Sequence, residues 1–290
     1  MIAGKKQAQI RQMGEEVNQN KPSIHDLARA IRAHSLRMVH LAKASHIGTC
    51  LSMADVLAVL YGRVLRVDST QPCWPQRDRF ILSKGHGAAA MYATLAERGF
   101  FPLEWLKTYC QDGSKLAGHI VHHAVPGIEV STGSLGHGLP IASGMALAGK
   151  RDGSGYRVFV MVSDGELDEG SNWEAILFAP HHQLDNLTAI VDYNKIQSLG
   201  GVKEVLDLEP LAEKWKAFGW AVREVNGHEV KEIEDALMCV PYEVGKPSAI
   251  IAHTIKGKGV SFMENQLAWH YKSPNGEELK KALEELEADR

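Results

Sequence analysis

The chain has 290 residues, 44% of them hydrophobic and 23% charged, an ordinary balance for a globular protein. Its formal net charge of −3, with no basic block, argues against a nucleic-acid partner. No apolar run approaches a membrane span or a signal-peptide core, and four scattered cysteines (Cys50, Cys73, Cys110 and Cys239) without a Cys-x-x-Cys pair predict reduced thiols in a cytoplasmic protein.

Residues 1–22 are polar and read as an arm or exposed helix. Ser23 or Asp26 caps a predicted helix to Lys43, with Leu27, Ile31, Leu36, Val39 and Leu41 as its apolar face. Ser52 with Asp55 has capping-box spacing and predicts a second helix to about Leu60. Arg79 to Leu82 reads as a short strand, followed by a helix from about Ala88 to Arg98. Ala142 to Lys150 fits a closely packed helix. Val158 to Val162 and Leu187 to Val191 are buried-strand patterns with a helical stretch between them. Strands are also predicted at Ala221–Val225 and Ala249–His253, and helices at Leu208–Phe218, Val230–Val240 and Glu277–Ala288. This alternation predicts an α/β domain over residues 23–290, its mostly parallel sheet covered by helices on both faces.

The most informative stretch is Val160 to Ser198. Its first strand pattern ends at Ser163-Asp164-Gly165-Glu166 and its second at Asp192-Tyr193-Asn194. Asp164 and Asn194 therefore stand thirty positions apart, each just past the carboxyl end of a buried strand. In an open α/β sheet those ends line the ligand crevice. There the two side chains offer hard oxygen ligands to a Mg²⁺ or Ca²⁺ ion carrying a diphosphate, and Gly165 lets the backbone come close. The pattern resembles the thiamine diphosphate motif, a Gly-Asp-Gly followed about thirty residues later by Asn, with Ser163 replacing the first glycine. Serine adopts positive φ less freely, so a different turn is expected there.

Fourteen histidines are present, several of them beside glycine in Ser45-His46-Ile47-Gly48, Ser83-Lys84-Gly85-His86-Gly87 and Ala117-Gly118-His119. Such segments suit a ligand that is approached closely and offered a switchable proton. His122, His123, His181, His182 and His228 carry no comparable context.

Seven segments occur in the order seen in transketolases: ASHIG at Ala44–Gly48, DRFILSKGHGA at Asp78–Ala88, LAGH at Leu116–His119, PGIEVSTGSLGHGL at Pro126–Leu139, SDGELDEGSNWEA at Ser163–Ala175, LDNLTAIVDYNKIQ at Leu184–Gln197 and HTIKGKGVSFMEN…WH at His253–His270. The chain resembles the amino-terminal half of that family from about Ile24 onward. His137 stands where the family usually has glutamine. The resemblance implies a three-layer thiamine diphosphate-binding fold and ketol transfer from a ketose phosphate to an aldose. It implies that Asp164, Asn194 and the Ile196 carbonyl hold the metal. Gly165 and Glu166 would stand beside the diphosphate, with the loop carrying Gly133 and Leu135 nearby. His86 and His270 would contact the cofactor, and His46 and His119 would handle sugar hydroxyls and protons. Lys256 matches a lysine near the diphosphate, and Glu169 an interface glutamate connecting active sites.

A complete transketolase is roughly twice this length. Only twenty residues follow His270, too few for a domain that grips the aminopyrimidine ring. The expectation is therefore the amino-terminal subunit of a split transketolase, completed by a carboxy-terminal subunit in a heterotetramer and acting on sugar phosphates. Rival readings are the α-type subunit of a 2-oxo acid dehydrogenase, a deoxyxylulose phosphate synthase relative, or a non-catalytic partner of a transketolase.

Overall fold

The computed structural model describes residues 23–288; the arm at 1–22 lies outside the described residues. Five strands form one sheet, β1 (Arg79–Leu82), β2 (Val158–Ser163), β3 (Leu187–Tyr193), β4 (Ala221–Asn226) and β5 (Ser248–His253), in the order β1-β2-β3-β5-β4. Every pair is parallel. In the central strands alternate residues enter two separate cores. Phe80, Leu82, Phe159, Met161, Ile190, Ile250 and Ala252 face one. Ile81, Val158, Val160, Val162, Ala189, Val191, Ala249 and Ile251 face the other. A strand buried on both sides must be apolar throughout, which is why these runs read as continuous rather than alternating.

The first core is covered by α1 (Ile24–Ala42), α2 (Ile47–Ser52), α3 (Ala54–Val59) and α4 (Ala88–Glu97). The second is covered by α5 (Gly138–Arg151), α6 (Gly170–His181) and, after the short α7 (Val202–Val205), α8 (Leu211–Ala217). Next come α9 (Val230–Met238) and α10 (Gly276–Ala288), whose Ile233, Leu237 and Leu286 return to the first core. The result is the expected three-layer arrangement.

Ser23 caps α1 as expected, its Oγ accepting from the Asp26 amide at 3.0 Å. Leu41, expected on the buried face, is exposed, because it lies off the stripe formed by Ile31, Leu36 and Val39. The capping box at Ser52 is wrong. A helix already begins at Ile47 and ends at Ser52, whose Oγ donates to Asp192 Oδ2 at 2.7 Å. Asp55 faces Arg32 (3.1 and 2.5 Å) and His228 (2.7 Å). Long-range polar contacts, not helix capping, use both residues. The helix expected from Leu208 starts at Leu211, because Pro210 precedes it in an extended conformation.

Candidate functional site

Loops leaving the carboxyl ends of β1, β2, β3 and β5 converge on one polar cavity of about 250 Å³. Its walls include His86 after β1, Asp164 and Gly165 after β2, Asn194 and Ile196 after β3, and Lys256 after β5. His46, His119, Gly133, Leu135 and His270 join them. The structure thus brings together most of the residues singled out in sequence, drawn from positions 46 to 270. A larger groove of about 480 Å³ lies elsewhere, over Met38, Leu41, Leu103, Leu106 and Leu279, and contains none of this constellation.

Asp164 is buried at the foot of the cavity. Its Oδ1 accepts from the Gly165 amide at 2.8 Å and its Oδ2 from the Lys195 amide at 2.6 Å. Burial, reinforced by the nearby Asp192 carboxylate, pushes its pKa up to about 6. A cation beside it would favour the charged form. Asn194 Oδ1 accepts from the Ile196 amide at 3.2 Å, and the Ile196 carbonyl accepts from Lys256 Nζ at 2.8 Å. Carboxylate, amide and carbonyl oxygens therefore line the same cavity, a donor set suited to a hard divalent cation. Among the described residues no three His, Cys, Asp or Glu side chains form a metal-ligating group, so a cation here relies on this mixed set.

Ser163 closes β2 in register with Asp192 and takes no positive φ. The turn in this chain therefore needs no glycine at that position. Behind it, Asp192 is fully buried and accepts from Lys84 Nζ, Thr254 Oγ1 and Ser52 Oγ, with Asn194 Nδ2 at 3.5 Å. Burial opposes its ionisation, but the Lys84 ammonium and these hydroxyls outweigh that and hold its pKa below the ordinary value. This buried pair backs the Asn194 loop. Sequence reasoning gave Asp192 no role, and its clue is a carboxylate at the end of an otherwise apolar strand.

Four histidine rings gather at the cavity. His46 lies 5.2 Å from His86, 5.0 Å from His270 and 6.0 Å from His119, between ring centroids. His46 takes φ +73°, unusual for a side chain with a Cβ, and its amide donates to the His270 carbonyl at 2.8 Å. Its Nδ1 is buried without a partner among the described residues. An orphaned ring nitrogen in a polar cavity is the kind of group that a ligand satisfies. Lys256 Nζ stands 3.0 Å from His270 Nδ1. An ammonium can only donate, so Nδ1 accepts and the ring proton sits on Nε2.

Titration near neutrality is the expectation for these histidines, and packing alters it. Burial, then the charges of His119, Lys256 and Lys84, lowers His46 to about 4. Burial, then Lys256, His46 and Lys84, lowers His270 to about 3. His86 is pushed well below its ordinary value, again chiefly by burial. These three rings are neutral at neutral pH in this chain. Burial also lowers Lys256 to about 8 against the pull of Asp164.

Two expected residues lie outside the cavity. Glu166 is fully buried behind it, its carboxylate accepting from Ser83 Oγ, the Gly136 amide (3.0 Å) and the Ser163 amide (3.3 Å). It ties the Gly133–Gly138 loop to the ends of β1 and β2. Gly136 in that loop has φ +81°, and a Cβ there would stand 2.6 Å from Glu169 Cβ and Ser171 Oγ. Glu169 is exposed at the start of α6. His137 is exposed at the start of α5, its Nδ1 2.9 Å from the Leu135 carbonyl. Sequence reasoning missed Tyr271 at the cavity mouth; its one clue is adjacency to His270.

The family model described as "Transketolase, thiamine diphosphate binding domain" matches residues 23–289. The chain is 48% identical over 241 residues to an apulose-4-phosphate transketolase subunit from Actinobacillus succinogenes, covering 83% of this chain and 87% of that protein. It is 45% identical over 262 residues to the 6-deoxy-6-sulfo-D-fructose transketolase subunit SqwG of Clostridium sp., covering 90% and 95%. The solved transketolase from Leishmania mexicana superposes with a TM-score of 0.87 at 33% identity, covering 92% of this chain but 42% of that one. The chain thus matches the subunit proteins nearly end to end and spans about two-fifths of that solved enzyme.

Proposed function

The chain belongs to the transketolase family through its thiamine diphosphate-binding domain, and from that premise we propose that it is the amino-terminal subunit of a split transketolase. The supporting observation is the convergence of Asp164, Asn194, the Ile196 carbonyl, Lys256 and four histidines in one cavity. Residues from 23 onward are read as one such domain, preceded by an arm. Asp164, Asn194 and the Ile196 carbonyl would hold Mg²⁺ or Ca²⁺. Lys256, Gly165 and the amides and side chains of the Gly133–Leu135 segment would receive the diphosphate, with Glu166 fixing that segment from behind. The orphaned His46 Nδ1 supports this fit, since it leaves a polar atom free for a bound group.

When bound, thiamine diphosphate supplies the electron sink that ketol transfer requires and that no side chain provides. His46, neutral and with a free Nδ1, is suited to accept a hydrogen bond or proton from a sugar hydroxyl. His119 stands across the cavity as its partner in proton handling. His270, its proton fixed on Nε2 by Lys256, acts as a donor that orients cofactor or sugar oxygen. His86 fills the cavity wall beside it. The Lys256 ammonium that lines the cavity offers charge-assisted hydrogen bonds to an anionic ligand.

The partner is a carboxy-terminal subunit carrying the pyrimidine-binding domain, in a heterotetramer with two copies of each chain. Support comes from the subunit relatives and from the exposed Leu177 and Phe178 on α6, the helix that begins beside Glu169. Glu169 would then act at the interface between active sites. Sugar phosphates are the proposed substrates, without nucleic acid, and four unpaired cysteines favour a cytoplasmic setting. No described helix is long and apolar enough to cross a membrane. The test is reconstitution: the purified chain alone should give no ketol transfer, and adding the partner, thiamine diphosphate and Mg²⁺ should restore it. Robust turnover by the lone chain would sink the split-subunit reading.

A further inference from the structure

The backbone at the cavity mouth is pinned on both sides of Tyr271. Trp269 is buried, with Nε1 donating to the Phe262 carbonyl at 3.1 Å. The His270 carbonyl accepts from the His46 amide, and its ring is held by Lys256. Lys272 lies 4.5 Å over the Trp269 ring and pairs with Glu278. Ser273 Oγ donates to the Val39 carbonyl at 3.0 Å, and the Pro274 carbonyl is 2.7 Å from His40 Nδ1. Within this run Tyr271 alone brings a large side chain to the cavity mouth with no polar side-chain contact among the described residues. It is 60% exposed, and its ring lies 4.7 Å from the His270 ring and 6.1 Å from His46.

A rigid segment that holds an unengaged phenol at a polar cavity's rim presents both an apolar face and a hydroxyl to whatever enters. Half-buried His46, His86 and His270 occupy the inner wall, where the reacting end of a sugar belongs. A group on the outer wall meets the part of the sugar farthest from the reaction. We propose that Tyr271 is a specificity-determining residue for the ketose donor. Its ring covers the C–H face of the carbons beyond the transferred two-carbon unit, and its hydroxyl bonds to a hydroxyl on that portion. The proposal rests on the ketol-transfer reading above.

The test compares a five-carbon or longer ketose phosphate with a three-carbon ketol donor that lacks the distal chain, using the reconstituted complex with thiamine diphosphate and Mg²⁺. Tyr271→Ala should lower kcat/KM for the long donor by about tenfold, chiefly through KM, and leave the short donor within about twofold, as expected when only a specificity contact is lost. Tyr271→Phe should fall between parent and Tyr271→Ala for the long donor. Cofactor affinity measured by calorimetry should be unchanged in both variants. Equal losses for both donors, or no loss for either, would overturn the assignment. Weaker assembly of the complex on sedimentation, at unchanged donor preference, would overturn it too and give the ring to the partner interface. Failure of the unsubstituted complex to use either donor would instead remove the ketol-transfer reading, and the proposal with it.

Discussion

Glu166 offers a sharp test, because the family resemblance and the geometry give its carboxylate different work. The resemblance sets it beside the diphosphate; the structure buries it completely and turns it to Ser83 Oγ and the Gly136 and Ser163 amides. Burial raises its pKa against those three bonds, and an amide of the same size keeps one acceptor oxygen in place. Glu166→Ala leaves three buried donors, the Gly136 and Ser163 amides and the Ser83 hydroxyl, without their acceptor. A buried donor left unsatisfied costs about 1–3 kcal/mol, so the loss should be about 3 kcal/mol or more. Glu166→Gln can keep one oxygen for Ser83 and Gly136 but sets an NH₂ against the Ser163 amide. One lost bond predicts about 1–2 kcal/mol. Urea unfolding of the isolated chain, followed by tryptophan fluorescence, should rank parent above Gln above Ala. Calorimetry of thiamine diphosphate with Mg²⁺ on the assembled complex should show affinity falling in the same order, as the Gly133–Gly138 loop loosens. A Glu166→Ala chain as stable as the parent yet unable to bind would refute this reasoning and move the carboxylate to the ligand.

Asp164→Ala should weaken divalent-cation binding beyond the ~10–100-fold typical of changes to outer-shell partners, as read by Mn²⁺ electron paramagnetic resonance on the complex. Without added metal two effects oppose each other, the loss of the acceptor for the Gly165 and Lys195 amides and the removal of a buried carboxylate beside Asp192, so the melting temperature should fall less than in Glu166→Ala. Lys84→Met leaves the buried Asp192 charge uncompensated and should destabilise the chain by about 3–5 kcal/mol in urea melts, with most of that recovered in Lys84→Met/Asp192→Asn. Asp55 is held at about 2, since Arg32 and His228 outweigh the burial that opposes its ionisation. Its stabilising contribution is therefore present above its unfolded value near 3.8 and lost as pH falls toward 2, about 2 kcal/mol in all. Denaturation at pH 4 and pH 2 should show that loss, and Asp55→Asn should lack it.

The strands were legible because a doubly covered sheet demands apolar residues on both faces, as in Val158–Val162 and Leu187–Val191. Asp164 and Asn194 were legible because each closely follows such a run. Ser52 and Asp55 misled for the opposite reason. Their spacing imitates a local cap, while their partners Asp192 and His228 lie 140 and 173 residues away. The Lys84–Asp192 pair, separated by 108 positions, leaves no periodic trace either. Proton affinities were also hidden: the histidine segments were visible, but the burial that makes His46 and His270 neutral is a property of the packed cavity. The family resemblance set Glu166 beside the ligand, whereas its side chain turns to the Ser83 hydroxyl and the Gly136 and Ser163 amides behind the loop.

The parallel sheet also dictates when the cavity can exist during synthesis. No neighbouring pair of strands can close by a hairpin, so each pairing waits for an intervening crossover. β4 has no strand to pair with until β5 is made, because β5 separates it from the rest of the sheet. His46 leaves the ribosome early, yet its amide is held by the carbonyl of His270, made much later. A nascent chain interrupted before that point would carry Asp164 and Asn194 without the Lys256–His270 wall. Such high contact order slows folding. It also means that an incomplete nascent chain cannot present the finished binding surface to a cofactor or a partner chain.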